Sequence, residues 1–418
     1  MATPPAQPME TSAAVATTVD SLKDDNIEDI LLRLPSPASL VRAALSSSRW
    51  RRLASSPDFL RRFRERCPSP PVLGLFLSQT DLGQLPVFHP SASVRSDRDL
   101  AAAARGGDFL LTRLQHDPAW RLQDCRNGRL LLCRGDSLSI YDPVSHRHVA
   151  VRRPRNDPCP VSGAEYVADC LLGGHGESFR VVSVQQDGQR LRAVEHQSGT
   201  PDCRCHPWVE GTDVATLRAP AMAATGAGLV FWRCGENSYI LLDTNTMAFS
   251  TITIPLALVN LESTEQLSPR QVYAIGDTEA GECCLVSILG RATLQVWLLK
   301  KKCTGNTWEL EMQGPISALV DFNRRLRVHM VSAGLAILCC TGSKYSHFVI
   351  DLKNLSLRDK FLCHRSMAYP FQMTWPPAGL VATSTCEQSM PQTYVSGDAE
   401  KQHEAPSSSR KRKSKGEM

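Results

Sequence analysis

The 418-residue sequence predicts a multi-domain fold: a small all-α module of three short helices, then an all-β, propeller-like domain of about six blades. Two observations carry this. Apolar residues recur with helical spacing between Val19 and Arg66, whereas from Val72 to about Val381 they fall in short strand-like runs separated by Gly, Pro, Asn and Asp. The strand-like part also repeats itself at a spacing near 100 residues. A single core seldom grows past roughly 250–300 residues, so two or three folding units are expected on length alone.

Residues 1–18, rich in Ala, Thr and Pro, read as a disordered end. Ile27, Ile30, Leu31 and Leu34 then fall at i, i+3, i+4 and i+7, one stripe of a helix whose acidic first turn suits the positive end of the helix dipole. Pro35-Ser36-Pro37 stops it. Ser36 caps a second helix with Pro37 at its first position, and Leu40, Val41, Ala44 and Leu45 give that helix an apolar face. The same device at Ser56-Pro57 starts a third helix carrying Phe59, Leu60 and Phe63, which Cys67-Pro68 ends. Three short helices in under fifty residues bury little surface, so residues 19–66 need a partner or a neighbouring domain.

The stretch from Leu22 through Leu45, with its Leu34-Pro35-Ser36-Pro37 break, followed by Ser48-Arg49-Trp50-Arg51-Arg52-Leu53, resembles an F-box, and is most similar to those of the large plant F-box families. Lys23 stands where many F-boxes have proline after the first leucine. The resemblance implies binding of a Skp-type adaptor, and through it a cullin, by Leu22, Ile27, Ile30, Leu31, Leu34, Pro35, Leu40 and Val41, with the motif's Trp50 in the same set. A role in the module's own core is the alternative for any of them. The nine arginines from Arg33 to Arg66 could suggest DNA, but they are interleaved with acidic residues and lack an Asn/Gln-rich recognition face.

Residues 67–383 hold the repeats. Gly128-Arg-Leu-Leu-Leu followed by Leu138-Ser-Ile-Tyr-Asp142 matches Gly228-Leu-Val-Phe-Trp followed by Tyr239-Ile-Leu-Leu-Asp243, and again Gly334-Leu-Ala-Ile-Leu followed by Phe348-Val-Ile-Asp351. A second kind of unit alternates with the first, from Phe179 to Trp208 and from Cys284 to Trp308. Two units per superperiod give about 50 residues each, the length of a four-stranded blade. Each Asp is expected to cap its turn. The apolar strand after each Gly turn is expected at the ring's centre, with Leu131, Val230 and Ile337 equivalent, and Trp208 and Trp308 equivalent two blades apart. The arrangement resembles the kelch-like, F-box-associated domain found behind plant F-boxes; a two-sheet sandwich is the alternative fold.

No catalytic motif emerges: there is no nucleophile elbow, phosphate loop, His-Glu-x-x-His or paired Cys-x-x-Cys. Asp202-Cys203-Arg204-Cys205-His206 has metal-ligand types but no second cluster to complete a site, so no metal and no cofactor is expected. Fifteen cysteines without regular spacing read as reduced thiols, and Cys283-Cys284 and Cys339-Cys340 as packing residues. No apolar run spans a bilayer, and the first residues lack a basic flank before an apolar stretch. Net charge is +5, of which +3 lies in residues 19–66 and +4 in residues 407–418, leaving the middle near −2 and arguing against nucleic-acid binding. Residues 384–418 read as a disordered tail, in which Arg410, Lys411, Arg412, Lys413 and Lys415 resemble a nuclear-import signal.

The sequence therefore points to a non-catalytic substrate receptor of a Skp-cullin-F-box ubiquitin ligase, in nucleus and/or cytoplasm, whose propeller binds a protein substrate. The alternative is a nuclear interaction or transcription-associated protein with no ligase role. A propeller hydrolase or sugar-binding module is disfavoured by the lack of convergent carboxylates.

Overall fold

Hydroxyl caps set where the helices begin. The Ser36 hydroxyl accepts from the Ser39 amide at 3.2 Å to open α2 (Pro37–Leu45), after α1 (Asp24–Leu32), and Ser56 accepts from the Phe59 amide at 3.3 Å to open α4 (Pro57–Arg66). Between them Ser48–Ala54 forms a further helix, α3, so this span holds four helices rather than the three expected. The computed structural model describes residues 21–67, 71–78, 85–114, 120–135, 137–153, 164–173, 178–200, 202–210, 218–224, 227–234, 238–255, 273–290, 293–302, 305–316, 326–340, 345–363, 367–377 and 380.

The strands form six sheets. The first contains β1 (Val72–Ser78) and β2 (Val87–Pro90). The second is β3 (Arg121–Arg126), β4 (Arg129–Arg134), β5 (Ser137–Asp142) and β6 (Arg147–Arg152). The third runs β7 (Glu165–Gly173), β8 (Phe179–Asp187), β9 (Arg190–Gln197) and β10 (Cys203–Cys205), and the fourth β11 (Arg218–Ala224), β12 (Leu229–Arg233), β13 (Ser238–Asp243) and β14 (Ala248–Thr253). The fifth is β15 (Tyr273–Asp277), β16 (Cys283–Leu289), β17 (Thr293–Lys302) and β18 (Gly305–Pro315); the sixth is β19 (Leu326–Ser332), β20 (Leu335–Cys340), β21 (Tyr345–Asp351) and β22 (Ser356–Cys363). The last strand, β23 (Met367–Gln372), returns to pair antiparallel with β1, placing Phe76 opposite Tyr369.

Neighbouring sheets meet through one strand each, in the cycle β3, β7, β11, β15, β19, β23 and back to β3. Six blades thus close a propeller, and strands from the two ends of the ring-forming chain share the first blade. In five blades the pairing of the central strand with its neighbour is interrupted, at Val72/Gly74, Leu122/Asp124, Tyr166/Ala168, Arg218/Met222 and Val328/Met330. Such irregularities add bend and twist where the strands crowd the axis.

The strand order corrects one expectation. The all-apolar strands after the Gly turns (β4, β12 and β20) are second from the centre, not innermost. Their consecutive apolar runs, residues 130–133, 229–232 and 335–340, follow from a blade stacked between two others burying both faces. Leu131, Val230 and Ile337 are all fully buried, but only two are equivalent. Leu131 lies opposite Ile140 and Ile337 opposite Val349, two residues before Asp142 and Asp351; the matching position in the third copy is Phe231, opposite Leu241. Val230 is one residue off and so faces the other side of its blade. The tryptophans are not equivalent either. Trp308 stands near the start of β18 opposite Leu299, whereas Trp208 follows β10, beside the Val209–Leu191 bridge.

The turn aspartates behave as expected. Asp142 accepts from the Val144 and Ser145 amides at 2.9 and 3.2 Å, Asp243 from Asn245 and Thr246 at 2.9 and 3.3 Å, and Asp351 from Lys353 at 2.8 Å. Each such turn ends on a left-handed residue, His146, Met247 or Leu355, before the outer strand begins. The Asn127-Gly128 and Ala333-Gly334 pairs, all with positive φ, are the two-residue turns that match strand twist. A Cβ on Gly128 would also lie 2.5 Å from the Thr374 methyl.

Two helices inside the β region were not foreseen. They are α5 (Ala92–Ser96) and α6 (Arg98–Gly106), the latter capped by Asp97, which accepts from the Asp99 and Leu100 amides at 2.8 and 3.0 Å. Their Val94 and Leu100 pack with Phe76, Phe109 and Phe371 against the three-stranded first blade.

Candidate partner-binding surfaces

The helical module has its own core. Ile27, Leu31 and Leu40 are fully buried with Ala44, Ala54, Phe59 and Phe63. That core is completed from the far end of the chain: Trp375 stacks on Phe63, ring centroids 5.6 Å apart and planes 10° off parallel, and Leu380 is buried beside them. Of the nine residues that the resemblance assigns to adaptor binding, Ile27, Leu31 and Leu40 therefore face inward. Leu22, Leu34, Val41 and Trp50 are half-buried, while Ile30 (41% exposed) and Pro35 lie open to solvent. A stripe at i, i+3, i+4 and i+7 is wide enough to straddle core and surface, which is how one pattern supplies both.

Three arginines of this module, Arg49, Arg52 and Arg62, join its helices. Arg49 donates to Asp24 and to the Leu22 carbonyl, both at 2.7 Å, and Arg62 pairs with Glu28 at 2.8 Å. Helix α2 is also fixed to the ring side. Ala38 belongs to the first-blade core, the Ser39 hydroxyl donates to Asp99 on α6 at 2.8 Å, and Arg42 pairs with Asp99 at 3.1 Å.

At the ring's centre Arg126, at the end of β3, reaches Asp277, at the end of β15 in the opposite blade, at 3.7 Å. Arg126 also pairs with Asp124 at 3.1 Å, and Asp124 accepts from the Leu171 amide at 3.0 Å. Burial works against the Arg126 charge, but Asp124 and Asp277 outweigh it and raise its pKa. This ion cluster ties three blades together at the axis. At the rim, a cleft of about 400 Å³ between the fifth and sixth blades has Val296, Leu298 and Leu352 within it and Glu279, Glu282, Glu311 and Lys353 around it. A second cavity, of about 420 Å³, separates α2 and α6 from the turn after β5 and from Met373 to Pro377.

The Cys/His loop of the third blade is spread out. Cys203 Sγ is 3.9 Å from His196 Nδ1, His206 is 3.5 Å from Glu195, and Cys205 is exposed; among the described residues no three His, Cys, Asp or Glu are grouped to hold a metal ion. Cys283 and Cys284 point into different blade interfaces, and burial pushes the Cys283 thiol up to about 12. The basic cluster from Arg410 to Lys415 and the terminal segments 1–18 and 384–418 lie outside the described residues. No described helix is long and apolar enough to cross a membrane. Sequence reasoning missed α5 and α6, the cross-ring Arg126, and the return of Trp375 and Leu380 to the helices. For the last, Trp375-Pro376-Pro377 was the available signal, since a large aromatic before two prolines suits an anchored segment better than the end of a strand.

No family model matches the chain. No curated protein matches it either. Among solved structures, the β-propeller domain of Myceliophteria thermophila Cps50 (Swd1) is similar at 12% identity and a TM-score of 0.31, over 57% of this chain and 71% of that one. A chain of the Mitotic Checkpoint Complex is similar at 8% identity and a TM-score of 0.31, over 57% of this chain and 62% of that one. Likenesses this distant say nothing of function, and the six-bladed ring stands on its own strand order.

Proposed function

We propose that the chain is the substrate receptor of a Skp-cullin-F-box ubiquitin ligase, non-catalytic itself, with the adaptor on the helical module and a protein substrate on the propeller. The observation that carries this reading is the F-box-like motif of Leu22 to Leu53, which leaves Ile30 and Pro35 exposed at the end of α1 and in the loop before α2. The module is also fastened to the ring through Asp99 and Trp375, so a substrate on the blades would be held at a set distance from the adaptor. A rigid β scaffold with variable loops suits recognition of a protein surface. The basic cluster Arg410 to Lys415 favours action in the nucleus.

The test is co-purification of the tagged full chain from cells with the proteasome blocked. Stoichiometric Skp-type adaptor and cullin are expected with the unaltered chain, and at least about tenfold less with Ile30→Asp combined with Pro35→Glu, since charges in an apolar interface cost several kcal/mol. Circular dichroism and melting temperature should be unchanged in that variant. Capture of nuclear proteins without adaptor would instead favour the interaction protein without ligase role.

A further inference from the structure

The cavity between the helical module and the ring shares only Val41 with the residues assigned to the adaptor. We propose that it binds a small amphipathic molecule with an apolar body and one carboxylate. Its walls are Val41 and Leu45 on α2, Ala102 on α6, Val144 after β5, and Met373 and Pro377 after β23. Its volume of about 420 Å³ lies within the ~300–1,000 Å³ typical of small-molecule sites, which favour the junction of two structural units. The site is preformed, because Ala38 packs into the ring core and Ser39 is bonded to Asp99, so little ordering is lost when a ligand enters. Leu45 is 64% exposed at its edge and gains cover from an apolar occupant.

The polar groups decide the head group. Asp99 is nearly enclosed and both its oxygens are engaged, Oδ2 by the Ser39 hydroxyl and Oδ1 by Arg42. The Arg42 side chain, in contrast, is 71% exposed, and among the described residues its ion pair uses Nη1 alone, which leaves its guanidinium fork with donors to spare. The cavity therefore offers guanidinium donors at its mouth, beside an Asp99 whose charge Arg42 already balances. A carboxylate matches that fork, whereas an ammonium would meet Arg42 head-on. Size favours a free small molecule, since the walls are confined to two helices, one turn and the short stretch after β23.

The experiment is saturation-transfer NMR on the purified full chain with octanoate, 1-octanol and octylamine as probes. Octanoate should bind saturably with a Kd below roughly 1 mM, more tightly than octanol, with octylamine weakest. Ala102→Trp, on the exposed side of α6, fills the cavity and should weaken octanoate at least about tenfold, and Arg42→Gln should weaken octanoate but not octanol. Absence of saturable octanoate binding, or binding indifferent to Ala102→Trp, overturns the site. Equal binding of octanoate and octanol, or octanoate binding indifferent to Arg42→Gln, overturns the carboxylate assignment. The readout involves no adaptor, so its failure and that of the ligase reading are separate results.

Discussion

The propeller and the helical module solve the burial problem in opposite ways. Each blade is covered on both faces by its neighbours, so the second strands β4, β12 and β20 carry consecutive apolar residues, a pattern that recurs in alternate blades. The module has about 45 residues, too few for a self-sufficient core, and closes its core with Trp375 and Leu380 from beyond the last strand. Repetition makes the ring robust and legible. Borrowing makes the module dependent on the ring, and couples the face proposed for the adaptor to the body proposed for the substrate.

The difference can be broken most severely from within the module. Leu31→Asp puts a charge where no water reaches and should cost at least about 4 kcal/mol, melting the helices ahead of the ring. Ile30→Asp, one residue earlier but 41% exposed, should cost no more than about 0.5 kcal/mol and act on binding alone. Two-step melting by circular dichroism for the first variant, and none for the second, checks the boundary between core and face. A smaller effect is expected from Trp375→Ala: half-buried, it should cost about 2 kcal/mol, and the protease sensitivity that follows should appear in residues 24–66 rather than in the blades.

A change of pH sharpens the account of the ring itself. Burial, and secondarily His347, lowers the pKa of His329 from 6.5 to about 4. The neutral form is favoured in the fold, so the stability this group contributes is present above pH 6.5 and is lost as pH falls from there towards 4. Urea midpoints of the unaltered chain should fall over that window, and His329→Gln should flatten that part of the profile.

Blade number was legible because propeller geometry imposes one repeat length on every unit, and the turn aspartates because alternate blades share one turn chemistry at Asp142, Asp243 and Asp351. Register was not: Leu131 and Val230 look alike in sequence, and with both faces of a strand apolar nothing in the pattern says which residue faces which neighbour. Strand order failed for the same reason, since a continuous apolar run marks a strand buried on both faces and not its distance from the axis. The cross-ring contact of Arg126 with Asp277 joins residues 151 positions apart, with no local signal in either. Within the module the helical stripe was visible, but its division into core and surface was set by Phe59, Phe63 and Trp375, which that stripe does not contain.

The central claim is that one chain closes a six-bladed ring by pairing β23 with β1 and thereby carries Trp375 and Leu380 to the helices. Ser78 and Met367 face each other in that pairing, with Cα atoms expected about 4.5–5.5 Å apart, within reach of a disulfide. Ser78→Cys combined with Met367→Cys should therefore cross-link on mild oxidation of the folded protein, migrate faster than either single variant on a non-reducing gel, and melt at higher temperature than its reduced form. If the double variant fails to cross-link while folded, or cross-links only after unfolding, β1 and β23 do not share a blade and the ring is not closed as described.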